Sequence, residues 1–178
     1  MTGKGKNIFL HRLIYCFFLV SFLISALTLP GCKDKADYKA DLEKNGTVYS
    51  EEDFLHQVKT GNREKAETYI RAGINVNAKD RDGSTALMIA SERGDAEVVK
   101  LLLENGADPN AGDTSGYTAL MFASYSGDLE IAKLLVKKGA DVNARDKDGW
   151  TALMFASIEK KTEVADFLRK HGAGKRMK

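Results

Sequence analysis

The chain has 178 residues, enough for one ordinary domain, and its 27 basic side chains nearly balance its 25 acidic ones. Lys4, Lys6 and Arg12 fall in residues 1–31, which contain no acid, so the remainder is close to neutral with both signs interspersed. This removes the main support for nucleic-acid binding, whose electrostatic footprint is a basic stripe.

The first element is an export signal. Residues 1–12 are short and basic, and the stretch from Leu13 to Leu29 is without charge. That is the order of an n-region and an h-region. Leu29-Pro30-Gly31-Cys32 follows, and from Lys33 the chain turns polar. At Leu29, Gly31 and Cys32 this string resembles the lipobox of bacterial lipoproteins, from which Pro30 departs. The resemblance implies that residues 1–31 are a lipoprotein signal peptide and that Cys32 is the lipidation site and the new N-terminus. An uncleaved single-pass signal anchor is the alternative, because a helix from Ile8 to Leu29, at about 1.5 Å per residue, spans the roughly 30 Å hydrocarbon core. The lipoprotein reading is preferred because the apolar run stops at a Gly-Cys pair, and a simple anchor has no need of the cysteine. With Lys4, Lys6 and Arg12 held inside, either reading puts the rest of the chain outside the cytoplasm. The expected location is the bacterial envelope, facing the periplasm or exterior, with inner or outer membrane left open. Cys16 would leave with the signal, so Cys32 stands alone and no internal disulfide can form.

Residues 32–46 are rich in charge and read as a polar tether. At about 5–6 Å times the square root of its length, a flexible tether holds the rest of the chain roughly 20 Å from the membrane. A helix around 36–44 would be marginal on its own.

Residues 47–178 repeat at a spacing of 33 without gaps, as 47–79, 80–112, 113–145 and 146–178. Within the second unit, Leu87, Ala90, Val98, Val99, Leu101 and Leu102 recur at helical spacing over 85–92 and 96–104, and Gly94 interrupts them. This predicts a helix–turn–helix. Gly73, Gly106, Gly139 and Gly172 follow each second helix, where a left-handed cap residue is favoured. Asp80-x-x-Gly83, Asp113-x-x-Gly116 and Asp146-x-x-Gly149 then suit tight turns between units. The period, the glycines and the Gly-Ala-Asp-x-Asn-Ala runs resemble the ankyrin-repeat family. That resemblance implies an all-α repeat solenoid, an ankyrin stack of four helix–turn–helix–hairpin units, each needing its neighbours for burial.

The family's Pro and His are replaced in Thr85-Ala86-Leu87-Met88, Thr118-Ala119-Leu120-Met121 and Thr151-Ala152-Leu153-Met154. Alanine is a good helix former there, and the methionine stripe is expected in the core. Both ends read as polar caps. Unit one opens with Ser50-Glu51-Glu52-Asp53, in which Ser50 is a candidate N-cap, and unit four has Lys160 where the others have glycine.

Groups for catalysis do not converge in this sequence. His11 is in the signal, leaving His56 and His171 at opposite ends of the repeats, and there is no paired-cysteine metal spacing, phosphate loop or nucleophile elbow. Asp80, Asp82 and Asp113 read as solvated turns rather than a calcium cage. No enzyme activity, cofactor or metal is expected.

The resemblance implies that hairpin tips and the exposed face of each first helix grip another protein. By position this surface comprises Arg81, Asp82 and Ser84; Thr114, Ser115 and Tyr117; Lys147, Asp148 and Trp150 on the hairpins. On the first helices it comprises Glu92 and Arg93, Tyr125 and Ser126, Ile158 and Glu159. Tyr117, Tyr125 and Trp150 are expected to form one exposed aromatic surface of the residue type enriched in interface hot spots, with packing against the neighbouring hairpin as the alternative. Phe122 and Phe155 are expected in the core. The expected function is that of a monomeric, non-catalytic module binding and modulating an envelope or exported protein. Bacterial ankyrin proteins of this kind include immunity partners of exported toxins and helpers of envelope enzymes. A structural envelope lipoprotein is the alternative, and an enzyme the least favoured.

Overall fold

The computed structural model describes residues 33–174, so residues 1–32, on which the expected signal and the expected lipidation at Cys32 fall, and the last four residues lie outside the described part. Among the described residues there are nine helices: α1 (Lys35–Lys44), α2 (Glu51–Thr60), α3 (Arg63–Arg71), α4 (Ala86–Arg93), α5 (Ala96–Glu104), α6 (Ala119–Ser126), α7 (Leu129–Lys137), α8 (Ala152–Ile158) and α9 (Thr162–Lys170). They form an all-α repeat solenoid. The first helices of the pairs stack as α2, α4, α6 and α8, and the second helices stack as α3, α5, α7 and α9.

Short-range chemistry sets the helix ends. Ser50, Thr85 and Thr151 occupy N-cap positions of first helices, and their hydroxyls accept from the backbone N–H of Asp53, Met88 and Met154. Asn62, Asp95 and Asp128 do the same for α3, α5 and α7. Each such cap is worth about 1 kcal/mol because it satisfies a donor that has no helical partner. Ser91 and Ser124 sit fully buried inside helices, where their hydroxyls donate to the carbonyls of Leu87 and Leu120 at 2.7 Å. That local bond is what lets a hydroxyl sit in the interface between units.

Each Asp-x-x-Gly string folds as a tight hairpin. In the first, Asp80 N–H donates to the Ser84 carbonyl and Gly83 N–H to the Asp80 carbonyl, both at 3.0 Å. Asp80 Oδ1 accepts from the N–H groups of Asp82 and Ser84, Asp113 Oδ1 from Ser115 and Tyr117, and Asp146 Oδ1 from Asp148 and Trp150. Successive hairpins are then bonded to each other, Thr114 N–H to the Asp82 carbonyl at 2.9 Å and Lys147 N–H to the Ser115 carbonyl at 3.0 Å. Gly116 makes this approach possible: its φ is +87°, and a Cβ there would lie 3.0 Å from Asp146 Cα.

A second set of bridges runs between units on the far side. Asn77 Nδ2 donates to the Gly106 carbonyl while its Oδ1 accepts from Asp108 N–H; Asn110 repeats this with Gly139 and Asp141, and Asn143 with Gly172 and Gly174. One side chain thus satisfies a donor and an acceptor of the next unit's loop, which explains why asparagine recurs at that position.

The core lies between the two helix rows. Leu87, Leu120, Val99, Leu102, Ile131, Leu135 and Leu168 are all buried, and the alanines at 86, 90, 119, 123, 152 and 156 let adjacent helices approach closely. Unit one fills the same volume with aromatics: Tyr69 stacks on Tyr49 at 5.7 Å and tilts against Phe54 at 5.9 Å. The Tyr69 hydroxyl lies 2.5 Å from Asp53 Oδ2 and 2.8 Å from the Val48 carbonyl. Burial, then the contact with Asp53, pushes this phenol above its ordinary range.

Two expectations, on the methionine stripe and on the α8 end, are corrected, while the helix read around 36–44 is present as α1: it packs against α3 and buries Leu42, and Lys39 sits 5.0 Å from the Tyr49 ring centre. A helix too short to persist alone is held by that tertiary contact, and it continues the row of second helices. The methionine stripe is core only where another unit follows: Met88 and Met121 are each 1% exposed, but Met154 is 44% exposed. For the same reason the α8 end of the described stack is not a polar cap. It shows Trp150, Met154 and Ile158 to solvent.

The turn joining α8 to α9 departs from the local rules. Gly61, Gly94 and Gly127 end α2, α4 and α6 with positive φ, whereas Lys160 takes that place at φ 56°, the one non-glycine with positive φ among the described residues. Lys161 then replaces the Asp or Asn N-cap, and no side chain caps α9. Relieving the left-handed backbone penalty by Lys160→Gly is expected to stabilise the stack by about 1 kcal/mol. A higher urea midpoint at unchanged slope would show it, and an unchanged midpoint would mean that the turn carries no strain.

Candidate functional site

The hairpins and first helices bring the sequence-predicted positions to one side of the stack, and most are open to solvent. Arg81, Asp82, Thr114, Ser115, Lys147 and Asp148 are exposed at the hairpin tips, while Ser84 and Tyr117 are half-buried. Glu92, Arg93, Tyr125, Ile158 and Glu159 are exposed at the ends of α4, α6 and α8, as is Ser126. Helical periodicity accounts for this, since Glu92, Tyr125 and Ile158 occupy equivalent positions, each one residue beyond the serine of its helix.

Some of these residues hold the stack together. Arg93 Nη1 donates to the Lys59 carbonyl at 2.9 Å, so its guanidinium satisfies a free carbonyl at the C-terminus of α2. Asp82, Thr114, Ser115 and Lys147 carry the backbone bonds between successive hairpins.

The aromatic residues do not form one sheet of exposed rings. Tyr117 and Trp150, one repeat apart, are joined through Phe155, whose ring centre is 5.7 Å from Tyr117 and 5.6 Å from Trp150. Phe122 adds to the same ladder at 5.8 Å from Tyr117. Phe122 and Phe155 are therefore half-buried members of the surface and not core, contrary to the sequence expectation. They face the hairpin next to their helix, where equivalent Ile89 of α4 is buried.

The ladder separates two grooves. One is lined by Tyr117, Phe122, Tyr125 and Phe155 with Met121 and Glu92. The other, at the α8 end, is lined by Trp150, Leu153, Met154 and Ile158, with Asp148 and Arg169 at its margin. Tyr125, 55% exposed, belongs to the first, and Trp150, 37% exposed, to the second. A third, more polar groove lies between α2 and the first hairpin and carries Glu51, Glu52, His56, Lys59 and Arg81. These are shallow amphipathic surfaces, suited to a partner's side chains, with aromatic rings offering large contact area at small entropic cost.

Electrostatics elsewhere are structural. Arg63 pairs with Asp95 at 3.1 Å and also with Glu97, joining α3 to the start of α5, and the bond and charge of Asp95 hold the guanidinium above its usual range. His171 is bonded through Nδ1 to the Phe167 carbonyl at 2.8 Å. Among the described residues no group of three or more His, Cys, Asp and Glu is placed to hold a metal ion.

A family model described as Ankyrin repeats (3 copies) matches residues 54–146 and 130–178. No curated protein matches the chain. The matched span covers most of the sequence and coincides with the stacked helix pairs, their hairpins and the asparagine bridges between units. Ankyrin repeats generally bind other proteins, and this chain belongs to the ankyrin-repeat family.

Proposed function

We propose that the chain is a non-catalytic, monomeric interaction module made of four ankyrin units, lipid-anchored through Cys32 in a bacterial envelope. It binds and modulates an envelope or exported protein, inhibiting, protecting or assisting it. The observation that carries the binding face is the exposed row of Glu92, Tyr125 and Ile158 beside the hairpin tips, with aromatic rings collected around Tyr125. The Leu29-Pro30-Gly31-Cys32 string at the end of the apolar run supports the anchor.

One experiment addresses both parts. Cells expressing the full chain are fed a clickable fatty acid, with a photo-crosslinking amino acid placed either at Tyr125 or at Lys133 on the opposite row, in α7. Label should enter the chain and be lost in Cys32→Ala, and an envelope protein should be captured from position 125 and not from 133. Equal label with and without Cys32 eliminates it as the acyl site; equal capture at the two positions, or none, sinks the assigned face.

A further inference from the structure

Each of the three grooves has a different balance of charge. The groove beside α2 carries both signs, with Lys59, Lys79 and Arg81 facing Glu51, Glu52 and Asp82. That at the α8 end has Asp148 and Arg169 at its margin. In the central groove, of about 430 Å³, the single charged side chain is Glu92, and no basic residue lines it. Most of the rest of its wall is aromatic, from Tyr117, Phe122, Tyr125 and Phe155, with Ser126 beside them and Met121 buried behind.

The Glu92 carboxylate is exposed and has no ion-pair partner among the described residues. Its neighbour Arg93 points the other way, to the Lys59 carbonyl. The rings around it are tilted rather than stacked flat, at 42° between Tyr117 and Phe122 and 48° between Tyr117 and Phe155.

From this arrangement we infer that the central groove receives a lysine or arginine side chain of the partner protein. The inference rests on the docking face proposed above and specifies what enters it. Aromatic faces carry negative charge density and attract a cation within about 6 Å. The methylene stem of a basic side chain packs on the rings, and its head reaches Glu92. An acidic side chain is repelled by Glu92. A purely apolar one fills the volume but leaves the carboxylate desolvated and unpaired as the partner closes over it, which disfavours it.

The test is selection of a random dodecapeptide library against the full chain in detergent micelles. Enriched peptides should contain a lysine or arginine whose replacement by methionine weakens binding at least tenfold, and Glu92→Gln should cause a similar loss. Because Glu92 is exposed, that variant should keep the wild-type unfolding midpoint. Peptides that lose affinity with Tyr125→Ala but bind Glu92→Gln as tightly as wild type would overturn the inference and leave the docking face standing. Peptides indifferent to both variants, or failure to enrich any that depend on Glu92, would overturn it too, and the former would count against the docking face as well.

Discussion

Leu120→Ala should lower the unfolding free energy of the stack by about 2–5 kcal/mol, the usual loss when a fully buried leucine is truncated and its site relaxes only in part. Leu120 is 1% exposed and lies in α6, which packs on α4 before it and α8 after it, so the cavity opens where one unit meets its neighbours. In a linear stack stability is close to a sum of unit and neighbour-interface terms, and an interior site therefore weakens interfaces that an end site does not touch. Met154→Ala supplies the contrast. Met154 is 44% exposed, and its truncation should cost less than about 1 kcal/mol because much of its surface is already in water. Urea unfolding at matched slope measures both. Equal losses at the two positions would mean that Met154 is covered as fully as Leu120.

Tyr125→Ala should weaken partner capture at least tenfold while leaving helix content and unfolding midpoint unchanged. A tenfold loss corresponds to about 1.4 kcal/mol, and an aromatic hot spot loses about 2 kcal/mol or more on truncation. Tyr125 is 55% exposed, so the fold has little to lose, whereas it forms part of the wall around Glu92. Trp150→Ala should behave differently: its ring packs on Phe155, which also contacts Tyr117, so the change disturbs the ladder as well as any contact with the partner. Affinity of the captured protein for the two variants, read beside their midpoints, separates these roles. If Tyr125→Ala binds as wild type and Trp150→Ala does not, the partner uses the α8-end groove.

The helices, their caps and the turns between them were legible residue by residue, because each rests on chemistry within a few positions. Ser50 was readable as an N-cap from its acidic followers, and the helix read over 96–104 is α5, Ala96–Glu104. The 33-residue spacing placed Leu87 and Leu120 in the core, since identical units meet their neighbours in the same way. Repetition also made Met154, Phe122 and Phe155 look like core, and there the pattern misled. Periodicity says which face of a helix a residue occupies, but not whether another unit covers that face. Met154 has no following helix pair among the described residues, and Phe122 and Phe155 turn toward the hairpin rather than between helix rows.

The amino-acid sequence thus determined the local elements and their order, through glycine at left-handed positions, aspartate in the hairpins and apolar residues at helical spacing. Tertiary structure decided the rest. It packed α1 onto α3, gave Asn77, Asn110 and Asn143 their bridges to the next unit, and gathered Tyr117, Phe122, Tyr125 and Phe155 around Glu92. Asn77 and Gly106 are 29 residues apart in the chain, and Tyr117 and Phe155 belong to different units, so such partners come together only when one unit stacks on the next.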